Sequence, residues 1–167
     1  MCRYSNSTCD RNTEANIRRQ TMADHLRRLP WDIFATLTFK SWCGVECAFD
    51  SLRRFADSWP QETQGPIVWW AVAETSPSNP DSRVHLHVLF HGLGSIPEFR
   101  LIERWRRYGL VSEFQPYDSS RGPEFYMQKQ LWSESSSSAA DFCFSKNFLR
   151  WEQSVTDGLK FSSPPRS

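Results

Sequence analysis

The chain has almost no excess of charge: 20 Lys and Arg stand against 19 Asp and Glu, a formal net charge of +1. Bulk attraction is therefore excluded as the main route to a polyanion. Any nucleic-acid contact must come from local clusters such as Arg18 and Arg19, Arg27 and Arg28, Arg53 and Arg54, or Arg104, Arg106 and Arg107. Glycine is scarce and nowhere forms a Walker-A loop, which excludes that phosphate cradle from these residues. The five cysteines are an odd count with no Cys-x-x-Cys, so neither a zinc ribbon nor a fully paired disulfide framework is expected, only reduced thiols. Cys43 and Cys47 are one helical turn apart but lack neighbouring ligands, so no zinc site is expected there. Long apolar runs are missing too. The longest, residues 67–73, is far too short to cross a membrane, and the polar opening Met-Cys-Arg-Tyr-Ser-Asn-Ser has no signal-peptide core. A cytoplasmic protein without membrane contacts is expected.

Aromatic residues are plentiful, at 14% with eight Trp. They serve a ring-rich core, and any that are exposed can stack on bases. At 167 residues one main domain is expected over 25–160, flanked by a polar N-terminal arm at 1–24 and a disordered tail at 161–167. Alternation and β-branched or aromatic enrichment predict strands at 33–39, 67–75, 84–90 and 110–117, with a last strand at 140–145. Helical spacing predicts helices at 45–59, stopped by Pro60; at 97–108, stopped by Gly109; and at 123–132, opened by Pro123. Residues 76–82 are dense in turn formers, so the second and third strands form an antiparallel hairpin. The serines at 133–138 read as a loop. The result is an α+β fold, an antiparallel sheet of about five strands with helices packed on it.

Three of the four histidines fall in the run Arg83-Val-His-Leu-His-Val-Leu-Phe-His-Gly92. In a strand, His85 and His87 project to one side, while Leu86, Val88 and Phe90 pack on the other. A strand offers two nitrogen ligands to one metal ion in this way. Glu74 ends the preceding strand, and hairpin pairing with His85 or His87 brings its carboxylate beside them. Two histidines and a carboxylate with open positions suit Mg²⁺ or Mn²⁺ acting on a phosphate. The second element is Glu124-Phe-Tyr-Met-Gln-Lys-Gln130. On a helix Tyr126 and Lys129, three residues apart, face the same way. A phenol is a poor nucleophile near neutral pH, but a cation polarising the phosphate and a nearby ammonium offset this.

The order Phe34-Ala-Thr-Leu-Thr-Phe39, His85-Leu-His87 and Tyr126-Met-Gln-Lys129 resembles the three motifs of the HUH endonucleases, single-tyrosine replication-initiator (Rep) class, over roughly residues 33–132. The resemblance implies a ferredoxin- or RRM-like sheet with the histidines on a central strand. It also implies metal ligands His85, His87 and Glu74, catalysis by Tyr126 and Lys129, and a nick in single-stranded DNA that leaves a 5′-phosphotyrosine and a free 3′ hydroxyl. The cofactor expected is Mn²⁺ or Mg²⁺, with no small-molecule cofactor. The expected partner is single-stranded DNA or a hairpin at the replication origin of a plasmid or virus, with a host helicase to unwind it. Arg83, Arg104, Arg106, Arg107 and Gln130 are the DNA-binding candidates. Two alternatives stay open. A small HUH transposase of the insertion-sequence type shares the motif order, and Gln130 has a spacing those enzymes use. A catalytically silent RRM-like nucleic-acid binder would explain the sheet and the aromatics, but not the convergence of His85, His87, Glu74 and Tyr126.

Overall fold

In the computed structural model the alternation of the first strand becomes a division between two faces. Ile33, Ala35 and Leu37 of β1 (Ile33–Thr38) are buried, and Phe34, Thr36 and Thr38 are half-buried. The structure describes residues 17–18, 20–39, 43–59, 62–63, 65–74, 84–110, 112–122 and 142–158. A helix at 20–27 (α1) precedes β1. After it come α2 (Val45–Asp57), β2 (Val68–Glu74), β3 (His85–His91), α3 (Glu98–Trp105), β4 (Ser112–Pro116), a short 3-10 turn (Ser119–Arg121), β5 (Phe142–Phe144) and α4 (Phe148–Thr156). The strands form one five-stranded sheet in the order β4-β1-β3-β2-β5, antiparallel throughout. The expected α+β class with an antiparallel sheet is what the chain adopts.

One face carries the larger core. Ala35, Leu37, Trp69, Ala71, Leu86, Val88 and Phe90 meet Phe49, Leu52 and Phe55 of α2 and Leu101 and Trp105 of α3. The Phe55 ring makes edge contacts with Trp59, Phe90, Trp105 and Tyr108. Among the described residues the opposite face is covered only in part. Leu26, Leu29 and Trp31 from the α1 end and Phe148 and Trp151 from α4 pack on Val68, Trp70, Val72 and Leu89. His91, on this face, lies 5.0 Å from the Trp151 ring, and its Nδ1–H donates to the Pro30 carbonyl at 2.8 Å.

The element boundaries differ from expectation in ways that have local causes. α2 ends at Asp57, before Pro60, because Ser58 closes the turn through its N–H and its hydroxyl on the Phe55 carbonyl. α3 ends at Trp105 and passes into a turn over 106–108. β4 begins at Ser112, because the Leu110 N–H is already spent on the Thr38 carbonyl at the end of β1. Helical structure begins within the first 24 residues, where Ala23 is fully buried. α4 was not foreseen, although Phe148, Trp151 and Val155 have helical spacing. The helix expected at 123–132, the serine loop and the tail at 161–167 lie outside the described residues.

Candidate active site

The alternation of β3 decides where its histidines go. Leu86, Val88 and Phe90 fill the helix-facing core, so His85 and His87 stand on the partly covered face. The hairpin register sets Glu74 directly opposite His85 and Val72 opposite His87. The Glu74 side chain reaches diagonally: its Oε2 is 2.7 Å from Nε2 of His87. β1 supplies the other flank. Thr36 is opposite His87 in register, and its hydroxyl lies 3.3 Å from Nδ1. The Phe34 ring is parallel to the imidazole within 6°, at 6.1 Å between centroids. His87 is thus held at both nitrogens, and its side chain is only 7% exposed. With the proton on Nε2 it donates to Glu74 and accepts from Thr36; with the proton on Nδ1 the donation reverses and the Nε2 lone pair turns to the carboxylate.

That second state is the one a divalent cation needs, with an imidazole nitrogen and a carboxylate oxygen aimed at a common point. The donor chemistry fits Mg²⁺ or Mn²⁺. Ligands about 2.1 Å from an octahedral ion are roughly 3 Å apart, so the observed contact needs only a small opening. Among the described residues no group of three His, Cys, Asp or Glu is gathered to hold a metal ion. Glu74 and His87 meet; His85 shares their face, half-buried, without joining that contact.

The remaining site candidates are placed unevenly. Arg104 is committed to structure: it donates to the Ser58 carbonyl at 2.5 Å and to Glu62 at 2.6 Å, and its guanidinium lies 3.7 Å over the Trp59 ring. Arg106 and Arg107 are exposed in the turn after α3, in the helix layer and across the sheet from His87. Arg83, Tyr126, Lys129 and Gln130 lie outside the described residues.

A cavity of about 370 Å³ opens beside His87, with Phe34, Thr36, Gln115, Asp118 and Arg121 in its walls. Sequence reasoning missed these residues as site members. Alternation alone puts Phe34 and Thr36 on one side of a strand, but which strand lies beside it is a tertiary fact. Gln115 is opposite Phe34 in β4, and its amide donates to Glu113 on the same face. Asp118 Oδ1 accepts from the Ser120 hydroxyl at 2.6 Å and the Ser120 N–H at 2.9 Å, and these bonds hold its carboxyl below the usual range. Arg121 Nε lies 3.5 Å from Asp118. On the other flank Phe142 and Phe144 of β5 are opposite Val72 and Trp70, both rings exposed, and Phe142 stacks on Trp70 at 6.3 Å. The sheet face thus offers an acid–imidazole pair, a cavity and exposed rings side by side. No family model matches this chain, and no curated protein or solved structure matches it either.

Proposed function

We propose that this chain is a metal-dependent single-stranded DNA nickase and strand-joining enzyme of the HUH replication-initiator type, acting at a rolling-circle origin. The observation that carries the reading is the Glu74–His87 contact at 2.7 Å on the sheet face opposite α2 and α3, with His85 on the same side. The strand-helix-strand-strand-helix-strand connectivity supports it, since this is the split β-α-β motif of ferredoxin- and RRM-like sheets. Glu74 and His87, joined by His85, would hold Mg²⁺ or Mn²⁺, which draws charge from the phosphate oxygens when bound. Tyr126 supplies the nucleophile. Its phenol loses its proton, its oxygen bonds to phosphorus, and the bond to the 3′ oxygen breaks, that oxygen taking up a proton. Lys129 offsets charge on the phosphate in both directions, so the free 3′ hydroxyl can reverse the step.

The test is incubation with a pool of single-stranded oligonucleotides, a denaturing gel, and sequencing of the bound DNA. A covalent adduct is expected that needs Mn²⁺ or Mg²⁺ and vanishes in Tyr126→Phe. An adduct that persists in that variant would move the chemistry to another residue. The exposed Phe142 and Phe144 rings favour one second reading, an RRM-like module that binds single strands without cutting them. Tight binding with no adduct from any oligonucleotide would select it.

A further inference from the structure

The cavity beside His87 has walls of three kinds. Phe34 gives an aromatic face, parallel to the imidazole. Gln115 gives an amide whose orientation is fixed, because Nε2 must donate to Glu113. That bond uses one N–H. The other N–H and the carbonyl oxygen remain as a donor beside an acceptor. Asp118 adds oxygens that only accept, and Arg121 adds a cation at the rim. At about 370 Å³ the space is at the small end for organic ligands and suits one nucleotide rather than a duplex.

We propose that this cavity is the subsite for a single unpaired adenine of the DNA strand, seated next to the Glu74–His87 pair with its base on Phe34 and its edge on Gln115. The proposal rests on the nickase reading for its substrate class. Adenine presents an amino donor beside a ring-nitrogen acceptor, the complement of the amide. Guanine presents two acceptors, N7 and O6, on that edge, and one of them would meet the amide oxygen; thymine matches the amide only through N3–H and O4, on a smaller ring. Cytosine offers the same donor and acceptor on a smaller ring, with less area to stack. Arg121 meets the adjoining phosphate, and its pairing with Asp118 is loose enough, at 3.5 Å, to be shared.

The experiment measures binding of the full chain to a set of oligonucleotides varied one position at a time through A, C, G, T and an abasic site, without added metal. Adduct formation is scored on the same set with Mn²⁺. At one position adenine should exceed guanine by roughly ten- to a hundredfold. Gln115→Leu should flatten that preference. Phe34→Leu, which keeps apolar bulk without the ring, should weaken binding about tenfold on the adenine strand and leave the abasic strand unchanged. Adducts whose base preference survives Gln115→Leu would overturn the subsite and leave the nickase reading standing. A Gln115-dependent adenine preference without adducts would support the subsite and remove the nickase reading. Failure of every oligonucleotide to bind would overturn both.

Discussion

At the residue scale, the surroundings of His87 follow from its position in β3. Its neighbours are fixed by register: Thr36 on one side, Val72 on the other, and Glu74 on the diagonal. A hydrogen bond to Nδ1 and a carboxylate at Nε2 together orient the ring, so capture of a metal ion there would need little reorganisation. Thermal melting with and without Mn²⁺ checks this apart from catalysis. At a hundred times Kd the ion should stabilise the wild-type fold by about 2.7 kcal/mol. Glu74→Gln keeps the shape and a hydrogen bond but removes the charge, and most of the Mn²⁺-induced rise should disappear. His87→Ala should lower the baseline as well, because the imidazole is buried, and show no rise with Mn²⁺. An undiminished rise in both variants would place the metal elsewhere. The histidine spacing was readable because strand alternation is a local property. The Thr36 contact was not, because it depends on β1 lying beside β3.

At the element scale, the junction between α3 and β4 depends on one small residue. Gly109 reads in sequence as a helix stop, yet the helix has already ended at Trp105. The reason for glycine is space: a Cβ there would stand 2.0 Å from Trp105 Nε1 and 2.3 Å from the Thr38 carbonyl oxygen. Those two atoms are bonded to each other at 3.2 Å, tying α3 to the end of β1. Gly109→Ala should force them apart and cost on the order of 2–4 kcal/mol, from overpacking and a lost, partly buried hydrogen bond. Urea denaturation should show a lower midpoint at unchanged slope. A midpoint within experimental error of wild type would mean that the junction relaxes easily. α4 is the counterpart lesson. Its stripe of Phe148, Trp151 and Val155 is visible in sequence, but only its contacts with Trp31, Trp70 and Leu89 show that it packs on the second face.

At the scale of the whole molecule, the charge balance and the distribution of arginines shape how DNA would be held. Net charge is +1, Arg104 is bound into the Glu62 and Trp59 cluster, and Arg106 and Arg107 sit in the helix layer. Among the described residues that wall the cavity beside His87, Arg121 is the one arginine or lysine. Binding to single strands should therefore depend on salt only weakly. A log–log slope of roughly −1 to −3 corresponds to a few phosphates at about 0.7 each. Fluorescence anisotropy over a salt series measures it, with Arg121→Ala expected to reduce the slope by about one phosphate's worth. A slope several times steeper would mean that the basic clusters of the helix layer carry the contact.

Local sequence carries the alternations and periodicities: five strands, α2 and α3, a β2–β3 hairpin that brings Glu74 to the histidines, and the common side taken by His85 and His87. These follow from backbone geometry over a few residues, and a chain read in one dimension carries them. Tertiary packing set the hairpin register that puts Glu74 opposite His85 and the strand order β4-β1-β3-β2-β5, and therefore that Thr36 and Phe34 flank His87 and that Gln115 and Asp118 wall a cavity beside it. It also withdrew Arg104 from the candidate DNA surface by giving it Glu62, Ser58 and Trp59. Side-chain partners separated by tens of residues are chosen by how whole faces pack, and the free energy of that packing is a property of the assembled core rather than of any local string.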